Sequence, residues 1–178
     1  MRIFIGVFLP EKVRKEVSEI QNKLKKLELF NGKFAELDNL HLTLKFIGEV
    51  DEKKVDEVKK VLKKIKSKSF ESSINEAGLF TPSRPRILWL HMSAAEELQK
   101  SIDSEMTKMG FVEEERFMSH ITIARIKHIT PISARKLMDD LKGVISDSKF
   151  KVDKFALIES VLTPSGPKYK IIEEFKLG

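Results

Sequence analysis

The sequence predicts an α+β fold made of two related lobes. Segments rich in β-branched and aromatic residues alternate with segments of helical periodicity, and no long linker separates them. Hydrophobic residues make up 41% of the 178-residue chain, which is enough to bury a core. Two stretches roughly 80 residues apart, NLHLTLKFIGEV (39–50) and SHITIARIK (119–127), place a histidine and a threonine two apart in an apolar frame. That is a faint internal duplication, one copy per half, and the length fits one domain over residues 1–178.

Taken in order, RIFIGVFL (2–9) has strand composition, and Pro10 suits the first turn of a helix, where no N–H is needed. Val13, Val17, Ile20, Leu24 and Leu27 then recur at spacings of three and four, one apolar stripe. Asn31 and Gly32 are expected to end that helix, and the first histidine strand follows to Gly48. Asp51 is positioned to cap a second helix, with Val55, Val58, Val61, Leu62 and Ile65 inward and a run of lysines on the solvated side. A strand is expected over 70–79, then a loop at TPSRPR (81–86) and a strand at ILWLHM (87–92). Ser93 and Glu96 match a capping box opening a helix that Gly110 stops. After the second histidine strand (118–126), Thr130 and Pro131 start a helix through Leu141. Two strands close the chain at 149–162 and 168–176, joined by a turn at TPSGPKY.

There are no cysteines, which excludes disulfides, thiol catalysis and Cys-ligated zinc and makes a cytoplasmic location the default. No apolar run approaches the roughly 20 residues of a membrane helix. The opening MRIFIGVFLPEKV has too short an apolar part for a signal peptide and no small-residue cleavage site. A net charge of +6 and pI of about 9.4 favour an anionic partner such as RNA, DNA or a phosphorylated small molecule, although a lysine-rich soluble protein has the same balance.

In a strand, residues two apart share a face. His41 and Thr43 therefore project together, with Leu42, Leu44 and Phe46 opposite, and His120 and Thr122 project together with Ile121 and Ile123 opposite. A single His-x-Thr strand is ordinarily a satisfied core pair. Two copies related by an approximate two-fold axis could instead bring two imidazoles and two hydroxyls to one cleft. Imidazoles can divide acid and base work near neutral pH, and hydroxyls can donate to phosphate oxygens. That set suits phosphodiester chemistry, with no metal required if water or a neighbouring hydroxyl attacks.

These two stretches, with MRIFIGVFLP at the start and LIESVLTPSGPKYKIIEEFKL near the end, resemble the two-histidine phosphoesterase superfamily along nearly the whole chain. The resemblance is nearest to its RNA 2′,3′-cyclic phosphodiesterase branch, also called 2′-5′ RNA ligases. It implies a bilobal fold of two pseudo-symmetric antiparallel sheets flanked by helices with a central cleft. It implies hydrolysis of a 2′,3′-cyclic phosphate on an RNA end or nucleotide to a 2′-phosphate, with reversible joining of tRNA halves in some relatives. His41 and His120 are then the catalytic pair, Thr43 and Thr122 hold the phosphate, and no metal or cofactor takes part. The family usually has proline before the second histidine, where this chain has Ser119.

Strict alternation puts Arg125 opposite His120, a surface or structural place, whereas the resemblance implies an arginine near the nucleotide, which a bulge could deliver. Lys45 shares the His41 face by alternation, either attracting phosphate or sitting on the rim. His91 shares a strand face with Ile87 and Trp89 and reads as a packed or partly exposed core histidine, His128 as exposed, and Phe4 as core or as a base-stacking ring. A monomer is the default expectation. The rival functions are a non-catalytic RNA-end or nucleotide-binding module on the same cleft, and a small basic interaction protein whose histidines lie far apart.

Overall fold

Strand β1 (Arg2–Phe8) runs into helix α1 (Glu11–Leu27), which begins just after Pro10. The structure, a computed structural model, describes residues 1–81 and 83–178. Short strand β2 (Phe30–Phe34) and a 3₁₀ turn at Leu37–Asn39 lead to the first histidine strand, β3 (His41–Glu49), and helix α2 (Glu52–Leu62). Strands β4 (Phe70–Phe80) and β5 (Ile87–Met92), helix α3 (Glu96–Lys108) and the second histidine strand, β6 (His120–Ile129), come next. Helix α4 (Pro131–Lys142) precedes β7 (Lys149–Val152), β8 (Lys154–Thr163) and β9 (Gly166–Lys176).

Caps expected from the sequence form at two helices. Asp51 accepts from the Lys54 backbone N–H at 2.7 Å, and Thr130 from that of Ser133 at 3.1 Å. The other two boundaries differ. Helix α1 ends at Leu27 with Glu28 in the left-handed conformation, and Asn31–Gly32 belong to β2. Gly32 is there for closeness, since a Cβ would lie 2.2 Å from the Arg125 carbonyl oxygen on β6. Ser93 makes no cap for α3, because its hydroxyl accepts from the Ser73 backbone N–H at 2.9 Å and ties β5 to β4.

The strands form one curled antiparallel sheet in the order β7-β4-β5-β6-β3-β1-β8-β9, with β2 also paired to β6. One face buries Ile3, Ile5, Leu42, Leu44, Leu88, Leu90, Ile121 and Ile123 against Val17 and Leu24 of α1, Leu98 and Ile102 of α3 and Leu137 of α4. Each fully buried aliphatic side chain contributes about 1.5–3 kcal/mol relative to exposure. Helices covering that face leave the other free to line a cleft.

The α+β class and the two-lobed plan agree with the sequence reading, but the lobes are not sequence halves. β4, from the first half, pairs with β5 in the second lobe, while β8, from the second half, pairs with β1 in the first. Among the described residues the lobes meet between β3 and β6 through one pair, Leu42 with Ile121. The two sheets implied by the resemblance are thus joined edge to edge into one continuous sheet.

Candidate active site

The central pair decides where the polar residues go. Leu42 and Ile121 both point into the core and are fully buried. Their neighbours His41, Thr43, His120 and Thr122 therefore point to the opposite face. Because β3 and β6 are antiparallel and pair at Leu42 and Ile121, the two His-x-Thr pairs flank that junction on one face. All four line one cleft of about 920 Å³.

Each imidazole is oriented the same way. Nδ1–H of His41 donates to the Asn39 carbonyl at 2.6 Å, and Nδ1–H of His120 to the Met118 carbonyl at 2.8 Å. In both cases the acceptor is two residues upstream, which fixes the tautomer and leaves Nε2 for the cleft. Nε2 of His41 sits 3.1 Å from the Thr43 hydroxyl, which donates to it when the ring is neutral. Ser119, immediately before His120, is buried. Its hydroxyl donates to the Met92 carbonyl, pinning the start of β6 to the end of β5.

The surroundings of the two rings differ. His41 lies among Phe4, Phe8 and Tyr169, with ring centroids 4.9, 5.9 and 4.8 Å away. That burial lowers its pKa from the ordinary 6.5. The bond to Asn39 works against the shift, and the charges of His120 and Arg125 add to it. His120 packs edge-on against Phe80 at 4.8 Å. The pKa of Tyr169 is raised by burial, so its hydroxyl stays protonated.

Bulges correct the alternation in both strands. On β3, Ile5 pairs with Lys45 but Gly6 with Thr43, so an extra residue follows the His-x-Thr pair. Phe46 is thereby turned into the cleft and stands 67% exposed, while Lys45 is turned into the interior. Neither open reading of Lys45 holds, because its ammonium bonds the Asp103 carboxylate and the Val112 carbonyl and is only 5% exposed. On β6, Leu88 pairs with Ala124 but Trp89 with Thr122, the same extra residue at the same place. Arg125 is thereby delivered to the cleft.

Alternation also misses Tyr169, the one tyrosine in the chain, which β9 brings to His41. Nothing local to GPKYK marks it as part of a site, since only the β8–β9 pairing carries it there. Phe4 is buried beneath His41 against Ala156 and Ile158. His91, half-buried, bonds Asn75 at 2.7 Å, and His128 is exposed. Lys33 donates to the Ser165 carbonyl and Asn39 to the Pro167 carbonyl at 3.1 Å, so the β8–β9 turn is held at the cleft edge. Among the described residues, no three His, Asp or Glu side chains group to hold a metal ion, and no helix is long and apolar enough to cross a membrane.

A curled antiparallel sheet that aims two His-x-Thr strands into one cleft is the architecture of a two-histidine phosphoesterase. The chain belongs to the LigT like phosphoesterase family, whose model matches residues 7–89 and 92–169. It is 37% identical over 180 residues to an RNA 2′,3′-cyclic phosphodiesterase of Thermotoga maritima, covering 98% of this chain and 94% of the relative. It is 38% identical over 186 residues to the enzyme of that name from Methanothermobacter thermautotrophicus, covering 99% of each. A crystal structure from Thermus thermophilus superposes with a TM-score of 0.83 at 26% identity, covering 99% of this chain and 97% of that one. Escherichia coli LigT shares the fold at a TM-score of 0.79 and 24% identity, with 99% and 96% covered.

Proposed function

We propose that this protein hydrolyses the 2′,3′-cyclic phosphate of an RNA end or nucleotide to a 2′-phosphate, with His41 and His120 as the acid–base pair. One observation carries the reading: two imidazoles, each locked by a backbone carbonyl at Nδ1, line one cleft at the junction of the two histidine strands. The relatives named RNA 2′,3′-cyclic phosphodiesterase support it, as does the complex of Escherichia coli LigT with 3′-AMP.

His41 is assigned the base, because its burial keeps it neutral at neutral pH. Its Nε2 takes a proton from water as the water oxygen bonds to phosphorus. The bond from phosphorus to the 3′ oxygen breaks, and His120 Nε2 gives that oxygen a proton. With substrate bound, the Thr43 hydroxyl turns from His41 Nε2 to a non-bridging oxygen, which frees that nitrogen to take the proton; Thr122 donates to the other non-bridging oxygen, and Arg125 offsets their charge. Neither step calls on a metal or cofactor. With a 5′-hydroxyl of a second RNA in place of water, as between tRNA halves, the same displacement gives a 2′–5′ linkage. One domain over residues 1–178, monomeric and cytoplasmic, suffices for this.

Incubation with a 2′,3′-cyclic-phosphate-ended RNA oligonucleotide and a chelator, followed by identification of the phosphate position, tests the proposal. A 2′-phosphate product is expected. A 3′-phosphate product, or turnover abolished by chelator, would refute the route. Affinity without turnover would make the protein a binding module.

A further inference from the structure

A second hollow, of about 190 Å³, lies at the end of the two strands that bring Arg125 to the cleft. Ile87 of β5 and Arg125 of β6 pair with each other and line the catalytic cleft. Arg86, one residue before Ile87, and Lys127, two after Arg125, line the second hollow. The two recesses are thus neighbours along one pair of strands, and two residues of strand span about 7 Å.

The lining is cationic. Arg84, Arg86 and Lys127 contribute three positive charges, beside His128, Ser83 and Thr130, and no carboxylate residue lines it. Arg86 donates to the Lys127 carbonyl at 3.2 Å, which orients its guanidinium and leaves other N–H groups unspent. Elsewhere lysines are commonly matched, as in the pairs Lys15–Glu11, Lys63–Glu173, Lys136–Asp140 and Lys149–Glu71. Among the described residues, none of these three cations has a carboxylate within 4.0 Å. Like charges gathered at one recess repel unless an anion joins them. The start of α4 adds little, because Thr130 already caps it and Pro131 has no N–H.

We propose that this recess holds a backbone phosphate of the RNA strand upstream of its cyclic end, making an RNA end a better substrate than a cyclic mononucleotide. The inference rests on the hydrolysis proposed above, and it assigns Arg84, Arg86 and Lys127 to substrate length rather than to chemistry. A cyclic mononucleotide carries only the reacting phosphate and cannot fill both places.

The test compares the native protein with the variant Arg84→Gln/Arg86→Gln/Lys127→Gln, which removes the three charges and keeps a shortened aliphatic stem with a polar end. Substrates are a 2′,3′-cyclic mononucleotide and cyclic-ended single-stranded RNAs of two to five nucleotides. In the native protein kcat/KM is expected to rise with length. In the variant that rise should shrink roughly tenfold while mononucleotide turnover changes less than twofold. Each lost phosphate contact should also flatten the logarithmic salt dependence by about 0.7. An unchanged length dependence, or an equal loss on every substrate, overturns the assignment. Binding of a fluorescein-labelled pentaribonucleotide ending in a 2′-phosphate is measured in parallel, so the recess is judged even if hydrolysis is not observed. Equal affinity for native protein and variant overturns the inference by itself. Turnover failing while variant binding falls would instead refute the hydrolysis and keep the recess.

Discussion

Phe46 and Arg125 hold equivalent places in the two lobes. Each is the fifth residue after its histidine, and each is turned into the cleft by a bulge just after the His-x-Thr pair. The two-fold relation of the backbones is therefore kept, while the chemistry at the matched positions differs, an apolar ring on one side and a cation on the other. Arg125→Ala should weaken productive binding of the anionic substrate, raising KM several-fold, whereas Arg125→Lys should lose less. Steady-state kinetics on a cyclic mononucleotide separate the two, and identical behaviour would remove the charge from the account.

His41→Ala and His120→Ala should each lower kcat by about 10²–10⁴-fold, with smaller changes in KM. Circular dichroism should show both variants folded, because both rings line the cleft and neither belongs to the apolar core. Full activity in either variant would defeat the acid–base assignment.

The pH dependence should be bell-shaped, with the acid limb set by protonation of the base. If His41 is the base, burial places that limb below 6.5. Tyr169→Ala opens the surroundings of the ring and should move the limb up towards 6.5, while Tyr169→Phe, which keeps the ring buried, should not. Stability carries the same sign. A histidine whose pKa is lowered by folding stabilises the protein above its unfolded value and loses that contribution as pH falls through the folded value. Melting temperature should therefore drop between pH 7 and pH 5 more steeply in the native protein than in His41→Gln. A steeper drop in His41→Gln would contradict the burial argument.

Lys45 and Asp103 form a buried ion pair between β3 and α3, and the Asp103 carboxylate also accepts from the Glu114 backbone N–H at 3.1 Å. Asp103→Ala leaves a buried ammonium with the Val112 carbonyl but no counter-charge, and should cost about 3–5 kcal/mol in denaturant unfolding. Lys45→Met/Asp103→Leu removes both charges and should recover most of that loss. A double variant as unstable as the single one would mean that the pair is more than mutual compensation.

Gly32→Ala should detach β2 from β6, since the added methyl meets the Arg125 carbonyl at 2.2 Å. The expected result is a loss of about 1–3 kcal/mol together with a raised KM, because β2 braces the strand that delivers Arg125. A silent substitution would show that β2 can slide without consequence.

Much was legible in the sequence because it depends on neighbours a few residues apart. The 3.6-residue stripe of α1, the caps Asp51 and Thr130, and the shared face of His41 with Thr43 and of His120 with Thr122 are local properties of chain geometry. Chain-local geometry was enough to set two polar pairs on two apolar strands and so to point to the candidate site. Tertiary structure alone decided that Lys45 turns inward and Phe46 and Arg125 outward, because a bulge is set by the register with β1 and β5, residues distant in the chain. It also decided that Tyr169 closes over His41, that β4 and β8 exchange lobes, and that Gly32 serves strand contact rather than a helix end. Such outcomes depend on which backbone lies opposite, and periodicity along one strand carries no information about its partner.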